Sequence, residues 1–177
     1  MKAPNNNENF VQDTPIIFSA RGVEITLDDT DLRFLSTLVK KRPEKTARFL
    51  IHGNPESELH EMVIGHAEMK YIRPHINDNS VKSFTVLSGS MAVITFEATG
   101  TISKIFHLKE VGKGKPFILR LNEPIFHTIL ALTGTVIFLE TTLGPHLMTR
   151  YAEFAPRPDD DVAVEKYLTF LKKEILK

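Results

Sequence analysis

Short stretches rich in Val, Ile, Phe and Thr follow one another from residue 47 to residue 141, and they constrain the fold more than any other feature. Gly, Pro, Asn and Asp separate these stretches, for example at Ser88-Gly89 and Thr133-Gly134. Many short strands at this spacing are typical of an antiparallel sandwich or barrel. A parallel α/β fold is not expected, because no helical pattern separates the strands.

The β-rich part of the chain divides into nine predicted strands. Because side chains alternate between the two faces of a strand, each strand can turn one face to a common core. The strands are expected near residues 48–52, 61–67, 70–73, 83–87, 91–96, 101–108, 117–121, 128–131 and 136–141.

Helical patterns flank the strands on both sides. Asp28 and the acidic residues after it suit the start of a helix with leucines at helical spacing, and Pro43 ends it after Lys41. Near the C-terminus, three aspartates precede an apolar stripe with a period near 3.6 residues. We therefore expect a disordered tail over residues 1–14, a mainly β domain with its N-terminal helix over 15–158, and a C-terminal helix over 159–177.

Composition excludes several classes of function. The 177 residues include 22 basic and 22 acidic side chains, with no basic stripe that would favour nucleic acid. There is no cysteine, which excludes disulfides and thiolate zinc sites. The longest apolar run, at 129–140, is interrupted and too short for a membrane span, and the polar N-terminus lacks the apolar segment of a signal peptide. We expect a soluble cytoplasmic protein.

Polar side chains occur at a spacing that suits a site inside a small barrel. His75 and Asn77 are two residues apart and share one face of an extended strand. Lys82 and Gly89 follow, and His127 comes from a later strand. Imidazoles and carboxylates that project into a barrel suit zinc, iron, manganese or nickel.

This spacing resembles the two motifs of cupins, and the wider sequence resembles the WbuC-type cupin family. The resemblance implies a cupin fold, which is an antiparallel double-stranded β-helix or jelly-roll barrel, here with an N-terminal and a C-terminal helix. It also implies a role in surface-polysaccharide biosynthesis, with a sugar or nucleotide sugar as ligand. The matching pieces, between residues 25 and 158, are ARFLIH, YIRPH, SFTVLSGSMAVITF, FHTILAL, FLETTLGPH and YAEFAPRP.

The chain departs from the cupin motif at two of its four metal-ligand positions. The first motif has the form H-x-H-x4-E-x6-G, and here Asn77 replaces the second His and Lys82 replaces the Glu. His75 and His127 remain as metal ligands. An ammonium group has no lone pair to donate, and an amide oxygen is a weak ligand for a transition metal. The motif thus predicts a rebuilt site in which a divalent metal is weakly bound or absent.

Two further charged residues belong to the candidate site. Arg73 precedes the first motif and is either an anion clamp or half of a rim salt bridge. Glu140 is the only carboxylate in the apolar stretch TVIFLETT. If it is buried it needs a partner, and it is then a metal ligand, a base or the counter-ion of Lys82. If it faces outward it is an ordinary surface residue.

The remaining histidines are weaker candidates. His60 and His66 differ by six residues, so alternation allows them to share a strand face, although we expect one at the surface and one packed. His52 is either a cavity residue or part of a turn, and His146 is a candidate for the mouth of the pocket.

Two functions from different classes stay open. The first is a binding module for a small polar ligand, sugar-derived or anionic. The second is a metal-dependent or His-based isomerase or epimerase acting on a sugar. We also expect a homodimer, because exposed edge strands need cover. Both functions use the same predicted site residues, namely Arg73, His75, Asn77, Lys82, His127 and Glu140.

Overall fold

The computed structural model describes residues 9–78 and 81–177, which contain two helices and twelve strands. The helices are α1 Asp29–Lys41 and α2 Asp161–Ile175. The strands are β1 Phe10–Thr14, β2 Ile17–Ala20, β3 Thr46–Leu50, β4 Leu59–Ala67, β5 His75–Asn77, β6 Lys82–Ser88, β7 Ser90–Phe96, β8 Ile102–Lys109, β9 Ile118–Leu121, β10 Phe126–Ala131, β11 Thr135–Leu143 and β12 Thr149–Tyr151.

The strands form two sheets whose inner faces pack together. One sheet has the order β1-β2-β3-β4-β11-β6-β9, and the other has the order β12-β5-β10-β7-β8. Apolar side chains from both inner faces form one buried layer, which includes Ile64, Phe84 and Phe138 from the first sheet and Val93 and Ile129 from the second. This is the predicted antiparallel, mainly β architecture with a helix near each end.

One pair of strands departs from the antiparallel pattern. β2 and β3 run parallel, with Phe18 opposite Phe49. Parallel neighbours need a crossover of a dozen or more residues, usually a helix, and α1 lies in the connection between these two strands. This one parallel pair lies near the edge of a sheet whose other pairs are antiparallel, so the predicted antiparallel fold holds.

The first helix is fixed at both ends by local interactions. Asp28 accepts hydrogen bonds from the backbone N–H groups of Thr30 and Asp31, and Asp31 accepts one from the Asp28 N–H, which completes a capping box. The helix packs closely on β4, since a Cβ atom added to Gly65 would lie 3.1 Å from atoms of the Leu35 and Val39 side chains. The predicted bounds of this helix are confirmed to within one residue.

The second helix covers the outer face of the smaller sheet. Leu168, Leu171 and Ile175 form one buried cluster with residues of β7 such as Ile94. Since the other face of β7 lies against the layer between the sheets, all seven residues of that strand are buried. A strand covered on both faces is expected to be mainly apolar, and β7 is apolar except for Ser90 and Thr95.

The first strand includes residues of the predicted disordered tail. Residues 1–8 of the expected disordered tail lie outside the described residues, but Phe10–Thr14 forms β1 and pairs with β2. Phe10 is buried, and its ring centroid lies 4.8 Å from that of Phe49. Burial of this aromatic side chain fixes a segment whose polar composition suggested disorder.

The segment before the first cupin-like motif also differs from its prediction. Residues 70–73 form no strand, and the strand β5 begins only at His75. β5 and β12 are three residues long and pair with each other, so each depends on a partner distant in sequence. Among the described residues, no helix is both long and apolar enough to cross a membrane.

Candidate functional site

Between the two sheets lies a pocket of about 510 Å³, a volume within the usual range for small-molecule sites. Six of the seven histidines of the chain line it. The remaining one, His107, is exposed on β8. The lining histidines are His52, His60, His66, His75, His127 and His146.

The structure brings five of the six predicted site residues to this pocket. They come from β5, β6, β10 and β11, whose inner faces converge there. These residues are His75, Asn77, Lys82, His127 and Glu140.

Arg73, the sixth predicted site residue, is not among the lining residues. Its Nε and Nη2 atoms donate hydrogen bonds to the Ala152 carbonyl oxygen at 3.2 and 2.8 Å. Its guanidinium carbon also lies 5.7 Å from the centroid of the Tyr151 ring. Arg73 therefore holds the segment before β5 against the end of β12.

Lys82 and Glu140 form a buried ion pair, with 2.7 Å between Lys82 Nζ and Glu140 Oε1. The side chains are 9% and 11% exposed. In the register of β6 and β11, Lys82 lies opposite Thr142 and Glu140 lies opposite Phe84, so the two charges meet diagonally. Burial raises the pKa of Glu140, but the charge and the hydrogen bond of Lys82 outweigh that effect, and the pKa is lowered overall.

His75 and His127 lie directly opposite each other on β5 and β10, with ring centroids 4.7 Å apart. The Nδ1 atom of His75 lies 3.0 Å from the Arg73 carbonyl oxygen, and that of His127 lies 2.8 Å from the Ile125 carbonyl oxygen. A carbonyl oxygen can only accept, so each Nδ1 carries the hydrogen. The Nε2 atom of each neutral ring therefore has a free lone pair.

Both histidines stay neutral at physiological pH. Burial, followed by the charges of His75 and Lys82, lowers the pKa of His127 to about 3. Burial and the charge of Lys82 also lower the pKa of His75. This end of the pocket therefore presents imidazole acceptors rather than imidazolium cations.

Asn77 adds a third acceptor to this group. Its Nδ2 atom donates to the Thr149 hydroxyl oxygen at 2.9 Å. Its Oδ1 atom is buried and has no hydrogen-bond partner in the part of the chain that the structure describes. Since buried amide oxygens are nearly always paired, this atom calls for a donor from a bound molecule or water.

The strand β4 carries two more histidines on the same inner face. His60 and His66 are 6% and 5% exposed and both line the pocket, so the expectation of one surface and one packed side chain is wrong. His60 also stacks on His52, with ring centroids 4.0 Å apart. The even-numbered residues of β4 therefore face inward, as strand alternation allowed.

Arg48 is a lining residue that the sequence analysis did not single out. It lies on β3 between Ala47 and Phe49, which pack on the opposite face in the cluster around α1. Alternation therefore turns the Arg48 side chain toward the pocket. The sequence does show a single cation within the otherwise apolar strand TARFL. It does not show the register of β3 with β4, which brings Arg48 to the pocket.

The described donors do not fit a tightly held divalent metal. His75 and His127 offer two Nε2 lone pairs, but the nearby carboxylate, Glu140, is bonded to the Lys82 ammonium. Among the described residues no group of three or more His, Cys, Asp or Glu side chains has the arrangement of a metal site. Structural metal sites usually need four ligands, and catalytic ones three. The metal role of His75 and His127 stays a prediction.

One family model matches part of the chain. Residues 27–108 match the family described as Domain of unknown function (DUF6016). No curated protein matches the sequence.

Solved structures resemble the chain over most of its length. Oxalate oxidase in complex with the substrate analogue glycolate has a TM-score of 0.50 and 10% identity, over 76% of this chain and 74% of that one. A Klebsiella pneumoniae protein with a double-stranded β-helix domain has a TM-score of 0.49 and 15% identity, over 63% and 88%. Procruciferin from Brassica napus has a TM-score of 0.48 and 12% identity, over 63% of this chain but only 29% of its own length.

At these identities the likeness concerns the fold alone. The likeness to oxalate oxidase, together with the two packed sheets, shows that the chain has the cupin fold, the predicted double-stranded β-helix.

Loss of either charge of the buried pair should destabilise the protein. We expect Lys82→Met and Glu140→Gln each to lower the free energy of unfolding by about 3–5 kcal/mol. Lys82→Met leaves the buried Glu140 charge without its counter-ion, and Glu140→Gln does the same to the Lys82 charge. The double variant Lys82→Met/Glu140→Gln should recover most of the loss. Urea denaturation of the four proteins measures the coupling. Single variants no less stable than the double variant would contradict the buried pair.

Stability should also fall in mild acid because of His66. Burial, then the charges of Arg48 and Lys70, lower its pKa to about 3 in the folded chain, against about 6.5 when unfolded. Below pH 6.5 the unfolded chain binds a proton that the folded chain does not. The unfolding free energy should therefore fall by about 1.4 kcal/mol per pH unit toward pH 3 for this group.

The variant His66→Gln should remove this share of the pH dependence. The matched control is His107→Gln, because His107 is exposed on β8. Urea denaturation between pH 7.5 and 4.5 gives the slope for each protein. Equal slopes in the wild type and in His66→Gln would contradict a neutral buried His66.

Metal content should be far below one equivalent per chain. His75 and His127 offer two free imidazole nitrogens, and the described residues beside them supply no free carboxylate, so a divalent ion would be held weakly. Elemental mass spectrometry of untagged protein measures this directly. Near-stoichiometric metal that disappears in both His75→Ala and His127→Ala would contradict the expectation and assign these residues as ligands.

Proposed function

We propose that this cupin-fold protein binds a small hydroxyl-rich molecule, a sugar or nucleotide sugar, in the pocket between its sheets. The observation that carries the proposal is the set of three acceptors at one end of the pocket, the Nε2 atoms of His75 and His127 and the Oδ1 atom of Asn77. Hydroxyl groups donate hydrogen bonds, so a polyol is complementary to this wall. A hydrogen bond to the buried Asn77 oxygen would offset a desolvation cost of about 1–3 kcal/mol.

The same geometry supports binding better than proton-transfer catalysis. A general base works best when its pKa lies near the operating pH. The pKa of His127 is about 3, as a result of burial and nearby charge, so this imidazole is a weak proton acceptor. The Glu140 carboxylate is bonded to Lys82. A His-based sugar isomerase or epimerase is therefore the second choice.

We further propose a place in surface-polysaccharide biosynthesis and a homodimer. The resemblance of motifs such as YIRPH and FLETTLGPH to WbuC-type cupins supports the first. The second is supported by β9, which lies at the edge of the larger sheet and exposes half of Ile118, beside the exposed Phe117. An exposed apolar edge is a surface that a second copy would cover.

Direct binding measurements test the proposed function. Isothermal titration calorimetry with a panel of neutral monosaccharides and their uridine diphosphate derivatives should reveal at least one ligand. The variant Asn77→Leu should weaken its binding about tenfold, the worth of one hydrogen bond.

The matched control is Asn122→Leu, because Asn122 is exposed and bonded to Arg120, a residue outside the pocket lining. This variant should bind the ligand as the wild type does. If no sugar binds, or if Asn77→Leu binds as tightly as the wild type, the proposal fails.

A further inference from the structure

Unpartnered polar atoms also gather on the inner faces of β3 and β4, where Arg48 and His66 line the pocket. Thr46 Oγ1, Arg48 Nε and His66 Nδ1 are buried and have no hydrogen-bond partner among residues 9–78 and 81–177. Thr46 lies directly opposite His66 in the strand register, and Arg48 is two residues further along β3 on the same face. Three neighbouring buried groups without partners need a common explanation, and a bound molecule supplies one.

The charge at this place is positive. Arg48 makes no ion pair within the described part of the chain, and its charge, with that of Lys70, contributes to the lowered pKa of His66 after the larger effect of burial. The carboxylate that acts on Lys70 is Glu44, and its Oε2 atom is also unbonded. Lys45 acts on Lys70 as a further cation, and Glu140 acts on His66 as a further carboxylate, but Glu140 is already paired with Lys82.

The other cations considered for anion binding are already engaged. Lys82 is paired with Glu140 at 2.7 Å, and Arg73 donates to the Ala152 carbonyl oxygen outside the pocket lining. Among the described lining residues, Arg48 is the cation that makes no ion pair, and its Nε atom has no hydrogen-bond partner. A guanidinium presents a planar set of donors that matches the oxygens of a carboxylate or phosphate.

We propose that the Arg48 guanidinium forms an oxyanion subsite, so that the ligand is an acidic sugar that carries a carboxylate or phosphate. This inference rests on the proposed function, because it assigns the second end of the same pocket. His66 completes the subsite as a neutral ring beside the anion. The acceptors near His75 and His127 hold the hydroxyl groups, and Arg48 holds the charged group.

Arg48 lies well apart from the buried ion pair on the larger sheet. Arg48 aligns with Ile64 of β4 and, through it, with Phe138 of β11, and Glu140 is two residues further along β11. The cation and the ion pair are thus two strands apart, about 10 Å across the sheet.

Matched sets of ligands test the subsite. Calorimetric titrations compare glucose with glucuronate and glucose 6-phosphate, and galactose with galacturonate and galactose 6-phosphate. We expect the charged member of a set to bind about ten- to a hundredfold more tightly than the neutral sugar, the worth of a charge-assisted hydrogen bond. The tighter of the uronate and the phosphate identifies the anionic group.

Two substitutions assign the preference to Arg48. Arg48→Gln should abolish the preference for the charged sugar while neutral sugars bind within about twofold of the wild type. Arg48→Lys keeps the charge without the planar donor set and should retain part of the preference for the charged sugar. Retention in this variant would show that the loss in Arg48→Gln does not come from misfolding. The control Arg120→Gln, at an exposed residue outside the lining, should change nothing.

The outcomes separate the two proposals. Neutral sugars that bind as tightly as their acids would overturn the subsite and leave the proposed function standing. Equal losses in Arg48→Gln and Arg120→Gln would also overturn the subsite. Charged sugars that bind through Arg48 when no neutral sugar is detected would support it. Absence of any binding would overturn both proposals.

Discussion

The ion pair between Lys82 and Glu140 joins β6 to β11 where the apolar layer between the sheets meets the polar pocket. Next to it, Phe84 and Phe138 pack in the core. Two charges in such a place are tolerable only together, because each compensates the desolvation of the other. The hydrogen-bond acceptors across the pocket, on β5 and β10, face a pair that is locally neutral. The polar chemistry of the site thus depends on this contact.

The pair also changes the meaning of the cupin-like motif. Lys82 stands where the motif has a carboxylate, so the chain supplies a fixed cation at a position that would otherwise help to bind one. His75 and His127 keep the orientation of metal ligands, with Nδ1 held by a carbonyl oxygen and Nε2 free. In this setting the free nitrogens are acceptors for hydroxyl groups. With Asn77 and Lys82 at the other two motif positions, two imidazole acceptors thus lie beside a fixed ion pair.

Features that residues close together in the sequence determine were predicted correctly, and features that depend on distant residues were not. The helix α1 follows from neighbours such as Asp28 and Asp31, and the strands that line the pocket follow from local composition and alternation. By contrast, β5 and β12 exist only through pairing with distant partners. Arg73 bonds a carbonyl 79 residues away, and the role of Arg48 depends on the register between β3 and β4. No local sequence pattern predicts the hydrogen bond of Arg73 or the position of Arg48 in the pocket.

The cover that α2 provides for β7 also bears on how the chain is made. Ile94 and Phe96 are translated well before Leu168 and Leu171, the side chains that bury them. At about 5–20 residues per second, the outer face of the smaller sheet stays uncovered on the ribosome for several seconds. During that interval the nascent chain exposes an apolar surface of the kind that chaperones recognise. The outer face of the smaller sheet is therefore covered only after all the strands of that sheet have been synthesised.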